Sequence, residues 1–232
     1  MPHALIVAHG QPSDPEPAEA ALAAYAADVD TLCEGVDVKS ATLAAPGVLE
    51  RRVAALPDDA VIYPLFMAKG WFVTSALPKR LADRNIRILD PLGVEPSLPG
   101  LVSETLTGIL AGHGWSPQDT ELVLAAHGSG RSRNPSAVAR EFAVELRKKI
   151  AFKAIHTGFV EEPPYIAEAA ANLSSQALCL PFFACAGGHV LEDLPEALSE
   201  ARFSGRVLPV VGELPLIKQH IALVLASTFK EA

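Results

Sequence analysis

Little in this 232-residue chain points outside the cell or into a membrane. It has three cysteines, Cys33, Cys179 and Cys185. They are too few and too scattered for a disulfide framework, and no CxxC pair offers a zinc site. Cys179 and Cys185 read as small apolar packing residues. No run reaches the roughly 18 apolar residues of a membrane-spanning helix. The longest candidate, around Ala177 to Val190, is broken by Pro181, Gly187, Gly188 and His189. Met1-Pro2-His3 leads into an apolar strand without the basic and apolar regions of a secretory signal, so a cytoplasmic protein is expected. Basic residues are outnumbered, 19 Lys and Arg against 27 Asp and Glu, for a net charge of -8. That balance disfavours nucleic-acid binding, and an anionic ligand would need a local basic pocket. No GxxxxGK[ST] loop points to ATP, and no GxSxG turn supplies a hydrolytic serine.

What is present is a repeat. Ala4-Leu5-Ile6-Val7-Ala8-His9-Gly10 matches Leu122-Val123-Leu124-Ala125-Ala126-His127-Gly128. Pro64 to Val73 matches Pro181 to Val190, and Leu77-Pro78 then matches Leu194-Pro195 at the same offset. Arg87-Ile88-Leu89, Gly93 and Pro96 match Arg206-Val207-Leu208, Gly212 and Pro215. A match held through several turns indicates duplication rather than the general likeness of α/β units. Half the residues are hydrophobic, enough for a sizeable core, and the length fits two domains of about 100 residues each. The expected domains are 1–114 and 115–232, joined near Gly112 to Gln118, where glycine and proline interrupt the pattern.

Each half alternates apolar runs with helical periodicity. Strands are expected near Ala4–Ala8, Val36–Thr42, Ala60–Phe66 and Arg87–Leu89, then near Glu121–Ala126, Lys153–Phe159, Ala177–Phe183 and Arg206–Leu208. Helices are expected near Glu16–Leu32, Gly47–Leu56, Thr74–Asp83 and Leu98–Ala111, then near Ser136–Ile150, Pro164–Leu173, Val190–Ala201 and Leu216–Thr228. Continuous apolar strands between helices indicate parallel sheets covered on both faces. The fold class is therefore α/β, with two tandem doubly wound domains, each a four-stranded parallel sheet flanked by helices. Such sheets bind ligands beyond the carboxyl ends of their strands at the switch point. His127, Glu161 with Glu162, and His189 follow the first, second and third strands of the second half, which a switch point sets side by side.

Two imidazoles and a carboxylate suit Co(II), Fe(II), Ni(II) or Zn(II) and leave positions open for a substrate. Glu192 and Asp193 follow His189 by three and four residues. Glu192, and Glu162 after the second strand, are the candidates to orient the imidazoles from behind, Asp193 reads more as an acid that complements the dipole of a helix start, and Glu192 can do the same. Gly128-Ser129-Gly130-Arg131-Ser132-Arg133-Asn134 precedes a helix, and Ser129, Arg131 and Arg133 can hold carboxylates or phosphates, although a solvated turn reads the same way. The first half keeps His9 but has Ala44 in place of Glu161, Trp71 in place of Gly188 and Phe72 in place of His189. Trp71 and Phe72 offer an aromatic wall for a flat ring or are core. His9 is a proton acceptor or a turn histidine. His3, His113 and His220 read as structural, and His156 as a reserve ligand near Glu161.

Ala126-His127-Gly128-Ser129, Thr157-Gly158-Phe159-Val160-Glu161-Glu162-Pro163 and Pro181-Phe182-Phe183 through Gly187-Gly188-His189-Val190-Leu191-Glu192-Asp193-Leu194-Pro195 resemble the class II tetrapyrrole chelatases, the sirohydrochlorin cobaltochelatase and ferrochelatase family. The resemblance covers the second half directly and the first through the repeat. It implies metal residues at His127, Glu161 and His189, with Glu162 in competition for the carboxylate. Many two-copy members carry the site in their first half, whereas here the motif is intact only in the second. The implied reaction is ATP-independent insertion of cobalt or iron into sirohydrochlorin, for cobalamin or siroheme biosynthesis, without an organic cofactor. The macrocycle would lie in a cleft between the halves, with His9 taking a pyrrole proton. A small-molecule tetrapyrrole is then the partner, with no nucleic acid or membrane, and the duplication allows a monomer. A non-catalytic metal or tetrapyrrole carrier is the alternative, and a hydrolase or phosphoryl-transfer enzyme built on His127 and the arginine loop a more distant one.

Overall fold

Strand β1 (His3–Ala8) is buried from Ala4 to Ala8, and strand β5 (Glu121–Ala126) from Leu122 to Ala126. A strand with no polar face is stable only at the centre of a sheet covered on both sides. The computed structural model places both there, and it describes residues 1–81, 84–130 and 134–230. The first sheet joins β1 to β2 (Asp37–Thr42), β3 (Val61–Pro64) and β4 (Arg87–Ile88) in the order β2-β1-β3-β4, all parallel. The second joins β5 to β6 (Ala154–Phe159), β7 (Ala177–Phe182) and β8 (Arg206–Val207) in the order β6-β5-β7-β8, also parallel. In the second sheet Ala126 pairs with both Phe159 and Phe182, so the ends of β5, β6 and β7 lie side by side as expected.

The helices are α1 (Pro15–Leu32), α2 (Val48–Ala55), α3 (Leu77–Lys79), α4 (Leu98–His113), α5 (Asn134–Lys149), α6 (Ile166–Ala170), α7 (Leu194–Glu200) and α8 (Pro215–Thr228). Among the described residues, no helix is long and apolar enough to cross a membrane. The helices expected near Thr74 and Val190 begin differently from the sequence reading. Each opens with a π-helical turn, Phe72–Ala76 before α3 and His189–Asp193 before α7. Both turns run into a Leu-Pro pair. Proline has no N–H and its ring crowds the carbonyl four residues back; a widened turn relieves that crowding and leaves the proline in the first turn of an α-helix, where no donor is needed.

The chain divides into two compact units that do not follow the repeat boundary at 114/115. One unit comprises Met1–Glu95 with Pro215–Ala232, the other Pro96–Leu214. The last helix of each repeat therefore belongs to the unit built on the other repeat's sheet. In the first unit α8 packs on α1, where Lys218 Nζ meets Asp28 at 2.6 Å and the Cys33 thiol donates to the Ala222 carbonyl at 3.3 Å. In the second, α4 packs on α5 and buries Leu98, Val102, Leu106 and Leu110. Repeats with similar sheets offer similar docking faces, so the sequence pattern does not reveal which sheet a terminal helix covers.

Candidate metal centre

Gly128 follows β5 at a φ of 68°. A Cβ there would lie 2.9 Å from Phe159 Cβ and 3.0 Å from Glu162 Cγ. Glycine thus lets the turn after β5 close against the end of β6. The ladder continues past the strands, with Val160 N–H donating to the Ala126 carbonyl at 3.1 Å and Glu161 N–H to the His127 carbonyl at 3.0 Å. Glu162 turns back and accepts the Ser129 N–H at 2.8 Å. The Glu161 carboxylate points elsewhere, and it, His127 and His189 bring one ligand atom each to within 4.8 Å of one another. Among the described residues this is the one such convergence of three or more histidine, cysteine or carboxylate side chains.

The imidazoles are oriented by their second nitrogens. His127 Nδ1 lies 2.9 Å from the Gly128 carbonyl, and His189 Nδ1 lies 2.5 Å from Asp193 Oδ2. The two Nε2 atoms then face each other at 2.9 Å, with the rings edge to face and their centroids 4.3 Å apart. The sequence favoured Glu192 over Asp193 as the acid behind His189, and the structure corrects that choice. The structure gives that contact to Asp193, four residues on, while Glu192 is exposed.

The cysteines stay outside this chemistry. Burial pushes the Cys179 thiol up to about 12, and burial followed by the Glu213 carboxylate pushes Cys185 up to about 12, so neither offers a thiolate near neutral pH. His156 is not a reserve ligand: it meets Glu121 at 3.3 Å at the opening of β5, whereas Glu161 follows the far end of β6. His3 meets Asp37 at 3.1 Å, His220 meets Glu95 at 3.5 Å, and the His113 ring lies 5.3 Å from that of Trp115. Arg131 and Arg133 lie outside the described residues.

A family model described as CbiX matches residues 3–108 and again 121–228. The chain belongs to the CbiX family. A solved CbiX, described as the terminal enzyme for biosynthesis of siroheme in denitrifying bacteria, is 47% identical over 99% of both chains, with a TM-score of 0.86. A curated relative from Halobacterium salinarum, named probable sirohydrochlorin cobaltochelatase, is 21% identical over 166 residues, 60% of this chain and 56% of the relative. The match thus spans little more than half of that relative's length. SirB from Bacillus subtilis, solved with Fe3+, shares the fold, with a TM-score of 0.73 at 17% identity over 100% of this chain and 98% of its own.

The first CbiX repeat keeps the scaffold and changes the chemistry. His9 Nδ1 lies 2.8 Å from the Gly10 carbonyl, as His127 Nδ1 does from Gly128. Ala44 N–H donates to the His9 carbonyl at 2.9 Å, matching Glu161 to His127. The Phe72 ring stands 4.3 Å from that of His9 at 71°, where His189 stands to His127 in the second CbiX repeat. A phenyl ring and an alanine methyl offer no lone pair to a metal. Phe72 is not core: it is 37% exposed, beside Trp71 at 63%. With Phe66, whose ring is stacked 6.2 Å from that of Phe72, they form an exposed aromatic surface.

Proposed function

We propose that this CbiX protein inserts a divalent metal into sirohydrochlorin, with His127, Glu161 and His189 binding the incoming ion. The convergence of their three ligand atoms carries the reading. Gly128 O and the Asp193 carboxylate only accept hydrogen bonds, so in the neutral rings each Nδ1 carries the proton and each Nε2 is the atom available to a metal. The two Nε2 atoms face each other at 2.9 Å, close enough to share one cation, a proton or a metal ion. Adjacent nitrogens on an octahedral ion with bonds of about 2.1 Å stand roughly 3.0 Å apart, close to the spacing present. Imidazole with carboxylate suits Fe(II) and Co(II). Three protein ligands leave room for ring nitrogens to take the ion over, which a closed four-ligand cage does not.

Insertion exchanges one divalent ion for two pyrrole protons. We assign one of these to His9, whose Nδ1 is committed to Gly10 O and whose Nε2 is left as the basic atom. Trp71 and Phe72 supply an exposed aromatic face on which a flat macrocycle can stack. Ser129, Arg131 and Arg133 are assigned to the substrate's carboxylates. The 47% identity to a CbiX of siroheme biosynthesis favours iron, and the cobaltochelatase relative keeps cobalt as the alternative. The reading needs neither ATP nor an organic cofactor. It has the protein acting in the cytoplasm on a free small molecule, with the duplication allowing a monomer and no nucleic-acid or membrane partner.

An anaerobic absorbance time course with sirohydrochlorin and Fe(II) or Co(II) tests this. The protein should accelerate metallation over the uncatalysed control, and His127→Ala and His189→Ala should each abolish the acceleration. Full rates in both variants at limiting metal would remove the ligand assignment. A spectral change on mixing without faster insertion would favour the carrier reading, which the altered first repeat supports.

A further inference from the structure

We propose that Asp193 is a positioning residue for the metal-binding imidazole of His189, delivered to it by the π-helical turn His189–Asp193. The inference rests on the metal reading of His127, Glu161 and His189. Asp193 Oδ2 lies 2.5 Å from His189 Nδ1, and the turn closes with the Leu194 N–H on the His189 carbonyl. A carboxylate on Nδ1 holds the proton on that nitrogen, stops the ring from flipping, and turns Nε2 toward that of His127, 2.9 Å away. His127 reaches the same state through a backbone carbonyl, so only one of the two rings depends on a side chain for its orientation.

The first repeat serves as an internal control. Its turn Phe72–Ala76 has the same π geometry and the same following Leu-Pro pair. Phe72 stands where His189 stands, and Ala76 stands where Asp193 stands. The turn therefore forms without the acid, and the acid is present only in the copy that has an imidazole to hold. The side chains of His189 and Asp193 are 43% and 46% exposed. At such exposure an ion pair adds little to folding stability, which separates a role in orientation from a role in the fold.

The experiment uses the whole protein and two variants, Asp193→Ala and Asp193→Asn. Co(II) affinity is read from the visible absorption of the bound ion, and the His189 tautomer from 15N–1H correlation spectra of the metal-free protein. Asp193→Ala should weaken Co(II) binding about 10- to 100-fold and give His189 a mixture of tautomers. Asp193→Asn, whose amide oxygen still accepts from Nδ1, should recover part of the affinity and keep the Nδ1–H tautomer. Unchanged tautomer and affinity in Asp193→Ala would overturn the proposal while leaving the chelatase reading intact. If Asp193→Ala does not fold, Asp193→Leu, which keeps the bulk and removes the acceptor, takes its place: an unchanged Nδ1–H tautomer and unchanged Co(II) affinity in that variant overturn the proposal. Wild-type protein that binds no Co(II) would instead defeat the metal reading, and the tautomer spectra would still judge whether Asp193 orients His189.

Discussion

Glu161 and Glu162 are adjacent acids with different partners. Glu162 holds the turn that carries His127 by accepting the Ser129 N–H, whereas Glu161 faces the two imidazoles. Substitution should separate the two roles. Glu162→Ala removes an acceptor from a half-buried amide and should cost about 1 kcal/mol in a urea denaturation. Glu161→Ala touches no such contact and should stay within about 0.5 kcal/mol of wild type, yet lose affinity in a Co(II) titration. Equal effects of the two variants on stability would contradict this division. Both glutamates were legible as candidates because they follow the second strand of their repeat. Which one faces the histidines was not, because the path of the chain after β6 is set by the Glu161 N–H reaching the His127 carbonyl, 34 positions earlier in sequence.

Among the elements, β7 ties the core to the site most directly. It is buried throughout and ends just before the segment that carries His189. Cys179 lies within it, fully buried, and burial raises its thiol from an ordinary 9.0 to about 12. The sign of the consequence follows from linkage. Below pH 9 both folded and unfolded chains keep the proton and nothing is lost. Between pH 9 and about 12 the unfolded chain ionises and the folded one does not. Stability then falls by roughly 1.4 kcal/mol per pH unit from this thiol. Chemical denaturation at pH 8 and pH 10 should show a smaller alkaline loss in Cys179→Ala than in wild type. Identical losses would show that the thiol does not contribute. The strands themselves were legible as continuous apolar runs. The π-helical turns were not, because Val190–Ala201 has ordinary helical periodicity and only the packing around Pro195 shows the wider first turn.

At the scale of the whole molecule, the exchange of α4 and α8 determines which fragments can fold. Residues 96–214 form one contiguous compact unit that contains His127, Glu161 and His189. Expressed alone, this fragment should melt cooperatively by circular dichroism and bind Co(II). The fragment 115–232, cut at the repeat boundary, lacks α4 and carries α8 with Ile217, Ile221 and Leu225 stripped of their packing in the other unit. It should aggregate or unfold without cooperativity. The reverse result would mean that each helix can also cover its own repeat's sheet.

Hydrophobic period, glycine at the turns and the internal repeat act over a few residues or along a nearly constant offset, so the sequence alone determined the α/β class, the parallel order of elements and the family. They also determined that the first repeat keeps one imidazole, His9, and lacks the second imidazole and the carboxylate. Only the tertiary structure decided that Glu161 and not Glu162 faces the histidines, that Asp193 is the acid on His189, and that each repeat's last helix belongs to the unit built on the other repeat's sheet. The first and last rest on hydrogen bonds and packing between segments far apart in the chain; the Asp193 contact rests on the π-helical form of its turn, which the helical periodicity of the sequence does not reveal.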